Sequence, residues 1–371
     1  MASDAINLLR NWFLSESRNL PWRGHTIGSD TSPYAVWVSE IMLQQTQVSV
    51  VIPYFLRWMQ QFPTIETLAN AHLDEVLKAW EGLGYYARAR NLHEGAKFAL
   101  LHFNGKLPDT KEALLKIKGL GSYTSGAILN FAFHKRYAAV DGNVMRVCSR
   151  YFGLLDDIAK LSTVKKIESL TLDFLPEDEP WVISEALIEL GATVCKKLPK
   201  CIECPLKSGC KAFLLGMTAQ IPFNSRKTKI ETLYRSVAVV IHQDKILIRR
   251  GGKGKVMEGL CEFPYLETPG PVQNYVPLLS HIEDLYGIQL SWTKALPQVK
   301  HSFTRYSAIL NPHVFTLNSV IGDGSLTQSA TDESRFALQK DATHGDEWVT
   351  LDELKKLPFS SGHKRIFDGL T

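Results

Sequence analysis

The stretch that decides the fold is residues 117–146, IKGLGSYTSGAILNFAFHKRYAAVDGNVMR. Gly119 and Gly121 flank one apolar residue, and Thr124, Ile128 and Phe131 follow at helical spacing. Glycine lets the backbone approach a partner with no Cβ in the way. A tight glycine turn that feeds a helix directs free N–H groups outward, which favours an anion such as a phosphate. Asp141 follows, in VDGNV, at the mouth of a further helix. A phosphate grip and a carboxylate therefore lie close in sequence. By itself a G-x-G before a helix is a common turn, so its neighbours decide its meaning.

The 371 residues suggest two domains. At 45% hydrophobic and 22% charged, the composition is that of a soluble globular protein. No apolar run approaches the ~20 residues that span a bilayer. The start, MASDAINLLRNWF, reads as an amphipathic helix with Ile6, Leu9 and Phe13 on one face rather than as a secretory leader, which predicts a cytoplasmic protein. A net charge of +4 is too small to establish nucleic-acid binding.

Residues 1–216 read as mostly helical. Helices are predicted through Val48, Val51, Phe55 and Met59, through Leu73, Val76 and Trp80, and through Leu92, Ala96 and Phe103. Further helices are predicted from Thr110 to Lys118 and through Val144, Val147, Cys148 and Tyr151, where Cys148 is a structural core thiol. Residues 217–232, with Arg226, Lys227 and Lys229, read as a solvated basic linker. From 233 to 371 the period changes. A hairpin covers 236–250, a helix 276–286, and strands run near 299–309 and 314–317. Thr350 and Glu353 form a capping box, and 321–344 reads as loop. The fold class is thus an all-α domain followed by a small α+β domain.

Cys195, Cys201, Cys204 and Cys210 are spaced C-x5-C-x2-C-x5-C. Four thiols this close suit one soft metal centre, either zinc or an iron–sulfur cluster. A disulfide pair is the other reading, and it is disfavoured where thiols stay reduced. Lys196, Lys197 and Lys200 in the same loop are either a solvated face or phosphate contacts. Glu40 lies among Trp37, Ile41 and Met42, surroundings that raise a carboxyl's proton affinity and suit a general acid. A surface Glu fits the periodicity equally well.

The hairpin with Asp141 beyond it resembles the helix-hairpin-helix DNA glycosylases, and the cysteine box resembles the [4Fe–4S] box of their endonuclease III and MutY branches. LPWR (20–23), SPYAVWVSEIMLQQTQV (32–48) and GLGYYARARNL (82–92) resemble the MutY family of adenine DNA glycosylases. The likeness covers nearly all of residues 5–215, with each motif in the family order. It implies adenine removal by base-excision repair from double-stranded DNA, opposite 8-oxoguanine or guanine. In that family the hairpin amides at Gly119 and Gly121 hold a DNA phosphate. Glu40 would protonate adenine N7, Asp141 would stabilise or trap the sugar cation, and Tyr123 and Asn143 would assist. An N-glycosidic bond that breaks through an oxocarbenium-like sugar needs such an acid and such an anion. General acid catalysis is worth about 10²–10⁴ in rate.

The base must leave the stack to reach such a pocket. By the same resemblance Gln45 and Thr46 wedge into the duplex, and Leu83 and Tyr85 meet the opposing 8-oxoguanine. Trp22 and Arg23 wall the adenine pocket, and Glu185 is a second carboxylate near the extruded base. Leu83 and Trp22 read equally as core, and Glu185 as a solvated position beside Glu189. The four cysteines would hold one [4Fe–4S] cluster, although the family's first gap has six residues and this chain has five.

The rival endonuclease III-like lyases attack the sugar with a Lys where this chain has Tyr123, and a phenol cannot form a Schiff base. A mismatch-binding protein without turnover is the remaining alternative. The C-terminal third resembles the MutT-like, or Nudix, domain that ends MutY chains. Its helix offers only Glu283 and Asp284, too few hard ligands for a magnesium site, so no hydrolysis is expected there. The family's Phe-Ser-His lesion-reading loop corresponds to Phe303, Thr304 and Arg305. A monomer is expected, with replication or repair proteins as possible further partners.

Overall fold

The computed structural model describes residues 2–23, 32–226, 229–272, 274–320 and 345–370. The expected loop at 321–344 and Lys227 of the expected linker lie outside the described residues. The chain divides into two compact units. The first holds Met1–Asn70 and Asn91–Lys227, and the second holds Ala71–Arg90 and Thr228–Thr371.

The helices in chain order are α1 (Ala2–Glu16), α2 (Pro33–Leu43), α3 (Val48–Gln61), α4 (Ile65–Asn70), α5 (Leu73–Ala79) and α6 (Ala87–Phe103). They continue with α7 (Lys111–Leu114), α8 (Ser122–Phe131), α9 (Gly142–Phe152), α10 (Leu161–Phe174), α11 (Pro180–Thr193) and α12 (Lys211–Leu214). Pro33 starts α2 at a position where its missing N–H costs nothing. Every α2 residue from Val36 to Met42 is buried, and so is every α8 residue from Thr124 to Phe131. Helices apolar nearly all round belong inside a fold, and these two pack together.

A second core joins α1, α9, α10 and α11 through Leu9, Val147, Ile167, Ile183 and Leu190. Gly191 lets α11 approach α9, because a Cβ there would stand 2.6 Å from the Asn143 Cβ. The predicted helix at 110–118 is shorter than expected. Only Lys111–Leu114 is α-helical, and turns lead into Gly119 at φ +88°.

The second unit is built on a mixed sheet of β1 (Glu231–His242), β2 (Lys245–Arg250), β3 (Cys261–Glu262), β4 (Tyr265–Thr268), β5 (Ile288–Ala295), β6 (Val299–Phe303), β7 (Tyr306–Val320) and β8 (Glu347–Thr350). The order β3-β2-β1-β7-β5 has β1 and β7 parallel, with β4 on β1, β6 on β7 and β8 on β2. Helices α13 (Val276–Tyr286), α14 (Leu351–Lys356) and α15 (Ser361–Asp368) complete it. Leu278 and Ile282 of α13 pack in one apolar cluster, and Leu354 and Ile366 in another. The Thr350–Glu353 capping box is formed.

Two further expectations need correction. The strands expected at 299–309 and 314–317 are instead β6 and one continuous β7, with the turn at Thr304 and Arg305. Pro312 does not break β7. Pairing with β6 ends at Leu310 and pairing with β5 begins at His313, so no partner on that edge needs the missing N–H. The stretch at 217–232 is less free than a solvated linker. Ile221 is buried, the Arg150 Nε donates to its carbonyl at 2.8 Å, and the Ser225 N–H donates to Asp157.

Gly191→Ala should cost about 1–3 kcal/mol, because the added methyl overpacks the α9–α11 contact. A urea titration measures it.

Candidate active site

Glu40 sits on the buried α2, and the Tyr123 hydroxyl, from the first turn of α8, donates to its Oε2 at 2.8 Å. The surface reading of Glu40 is therefore overturned, since the residue is 8% exposed. Burial pushes its pKa up to about 7. The Tyr123 bond opposes that rise, the fields of Asp141 and Glu185 add to it, and Arg23 opposes it again. Carboxylates from three helix regions thus act on one another.

Asp141 caps α9. Its Oδ1 accepts from the Asn143 and Val144 N–H groups at 2.9 and 2.7 Å, and its Oδ2 accepts from Asn143 Nδ2 at 2.8 Å. Both oxygens are thereby oriented. Burial raises its pKa against these bonds. Asn143 Oδ1 in turn accepts from Arg146 at 2.8 Å, and Arg146 also donates to the Cys195 carbonyl at 2.7 Å.

Arg23 bridges two acids of α11, with Nε 2.9 Å from Glu185 and NH2 3.0 Å from Glu189. Burial raises the Glu185 pKa, and Arg23 opposes it. Burial also pushes Glu189 up, but Arg18 and Arg23 outweigh it and leave it below the ordinary value. Glu185 is consequently paired and not merely solvated. Trp22 is buried edge-on against Phe55. Arg18, Glu189 and Arg146 were not singled out from sequence. Glu189, one turn after Glu185, was the available signal.

The N-terminus of α8 has Gly121 as its cap residue and no side chain to take its first amides. Gly119 is needed on two counts, its positive φ and a Cβ that would meet Asn91 at 2.8 Å. Gln45 and Thr46 follow α2, with Gln45 exposed at φ +57°. Thr304 and Tyr85 also have positive φ, a costly conformation that clusters at functional sites. In the second unit Leu83 is buried, Tyr85 is exposed, Phe303 is half-buried, and Thr304 and Arg305 are exposed.

Cys195, Cys201, Cys204 and Cys210 line one cavity with the buried Arg150, whose guanidinium lies 3.4 Å from the Cys195 sulfur. Among the described residues no group of three His, Cys, Asp or Glu is arranged to hold a single metal ion. Four thiols around a common cavity are a donor set that suits a soft metal centre. Lys196, Lys197 and Lys200 are exposed on this loop. No described helix is long and apolar enough to cross a membrane.

Residues 38–175 match the model of the HhH-GPD superfamily of base excision DNA repair proteins, and 236–369 match a NUDIX domain. An adenine DNA glycosylase of Buchnera aphidicola is 32% identical over 317 residues, 84% of this chain and 85% of that one. The chain belongs to the adenine DNA glycosylase family. The Mus musculus member is 43% identical over 70% of this chain, which spans 50% of that protein. A solved thermostable thymine-DNA glycosylase superposes at a TM-score of 0.51 and 25% identity, covering 58% of this chain and 97% of its own. As in the rest of this family, the chain is a base-excision repair enzyme directed at adenine in DNA.

If Glu40 gives up a proton in the rate-determining step, single-turnover adenine release should fall as pH rises through about 7. Tyr123→Phe removes a bond that favours the carboxylate, so its alkaline limb should move to higher pH.

Proposed function

We propose that the chain hydrolyses the N-glycosidic bond of adenine mispaired with 8-oxoguanine or guanine, without lyase action. The observation that carries this is the pairing of a buried, proton-retaining Glu40 with an oriented Asp141 whose field it feels. Gly119 and Gly121, with Lys196, Lys197 and Lys200, grip phosphates of the duplex. Gln45 and Thr46 enter the stack and the adenine swings into the pocket walled by Trp22, Arg23 and Glu185. Glu40 delivers its proton to N7 of the leaving base. Asp141 supplies the anion that balances the cation at C1′ until water adds there and gives its proton to the ionised Glu40, and Asn143 keeps the Asp141 carboxylate in place. Tyr123 holds the Glu40 side chain and offers no amine to the sugar, so the strand stays intact.

We assign one [4Fe–4S] cluster to Cys195, Cys201, Cys204 and Cys210. Its contribution is to hold the lysine-bearing loop. The C-terminal module, 233–371, contacts the 8-oxoguanine through Phe303, Thr304 and Arg305. It has no hydrolase activity of its own in this reading, since α13 offers only Glu283 and Asp284 as hard oxygen ligands. The enzyme works as a monomer in the cytoplasm, at the nucleoid, where replication and repair proteins meet it.

A duplex with a single A:8-oxoguanine pair tests the reading, with strand breaks expected only after alkali. Breaks without alkali would establish a lyase, and none at all would leave a binder. Glu40→Gln should abolish release and keep duplex binding. It should also raise the melting temperature above pH 7. The wild-type carboxyl is ionised above about 4.5 when unfolded but only above about 7 when folded, so stability is lost across that window. Iron analysis of the purified protein should give about four irons per chain, with a brown colour. Stoichiometric zinc would refute the cluster.

A further inference from the structure

Ala71–Arg90 belongs to the same compact unit as the C-terminal sheet. Its centre is the turn at residues 82–85, with positive φ at Gly82, Gly84 and Tyr85. The turn is braced from within. Trp80 Nε1 donates to the Gly84 carbonyl at 3.1 Å, and Arg88 donates to the Leu83 and Gly84 carbonyls at 3.3 and 3.1 Å.

Phe359 braces it from outside. The Phe359 N–H donates to Glu81 at 2.9 Å. The Tyr86 hydroxyl donates to the Phe359 carbonyl at 3.2 Å while accepting from the Gly82 N–H at 3.2 Å. Lys78 donates to the other Glu81 oxygen at 2.8 Å and to the Leu357 carbonyl at 3.1 Å. Phe359 is itself fixed to the sheet, because the Cys261 N–H of β3 donates to Pro358 and the Ser360 N–H donates to Cys261. The ends of the segment are pinned too, Asp74 by Arg250 at 2.8 Å and Arg90 by the Glu258 carbonyl at 2.7 Å.

We propose that Glu81 and Tyr86 are specificity-determining positioning residues, which lock the turn bearing Leu83 and Tyr85 onto the backbone of Phe359. This rests on the reading of Leu83 and Tyr85 as facing the opposing 8-oxoguanine. The C-terminal module then governs the choice of opposing base by a second route besides the loop at Phe303, Thr304 and Arg305. Neither side chain touches the DNA in this role. Each acts by holding the turn where the oxidised base must pack.

The test uses the full chain and single-turnover adenine release from duplexes with A:8-oxoguanine and A:G. Tyr86→Phe keeps the ring and loses both bonds of the hydroxyl. Glu81→Ala loses the acceptor for Phe359, whereas Glu81→Gln keeps a carbonyl for it. The first two variants should lower the ratio of the two rates by about three- to tenfold, the range set by one hydrogen bond. Glu81→Gln should restore most of the ratio. A merely structural role would slow both duplexes equally and leave the ratio intact, and that result overturns the proposal. If Glu81→Ala fails to fold, Tyr86→Phe alone decides. A wild-type chain that releases adenine equally from both duplexes would refute the underlying reading of Leu83 and Tyr85, and this proposal with it.

Discussion

The hydrogen bond from Tyr123 to Glu40 is made between two helices that are buried nearly all round, and the rest of the first unit follows from that constraint. A carboxyl cannot sit in such a place cheaply as an anion. It keeps its proton to near neutral pH, and the Tyr123 phenol donates a hydrogen bond to it. Had α2 been amphipathic, with Glu40 on its wet face, the same residue would be an ordinary surface acid. The apolar character of PYAVWVSEIML is therefore part of the chemistry as well as part of the core.

Asp141 is kept differently. Three N–H donors orient it, and two of them are backbone groups of the helix that it caps. The capping arrangement does two jobs at once. It satisfies the orphan amides of α9, and it fixes a carboxylate whose proton affinity burial would otherwise raise further. One acid is thus held by a phenol and the other mainly by backbone amides, while burial raises the proton affinity of both.

Much of this was legible in the sequence. The glycine turn, the Asp at a helix mouth and the lone Glu in an apolar helix are local patterns, and local patterns survive in one dimension. What was not legible is long-range. Arg18 and Arg23 reach Glu189 across most of the first unit's sequence, and no spacing rule joins them. The straight run of β7 through Pro312 depends on where two other strands end and begin. The membership of Ala71–Arg90 in the second unit is of the same kind. Its helical periodicity places it with its sequence neighbours, whereas Arg250 and Phe359 hold it elsewhere.

That discontinuous second unit has a bearing on how the chain is made. Ala71–Arg90 leaves the ribosome before the whole of Asn91–Lys227, and only then is the rest of its own unit synthesised. The bonds of Phe359 to Glu81 and Tyr86 span 278 and 273 residues, so they form only after the intervening chain has been made. A stop codon ahead of Phe359 would thus do more than remove a downstream module. It would also take away the backbone groups that hold Lys78, Glu81 and Tyr86, in a segment encoded far upstream.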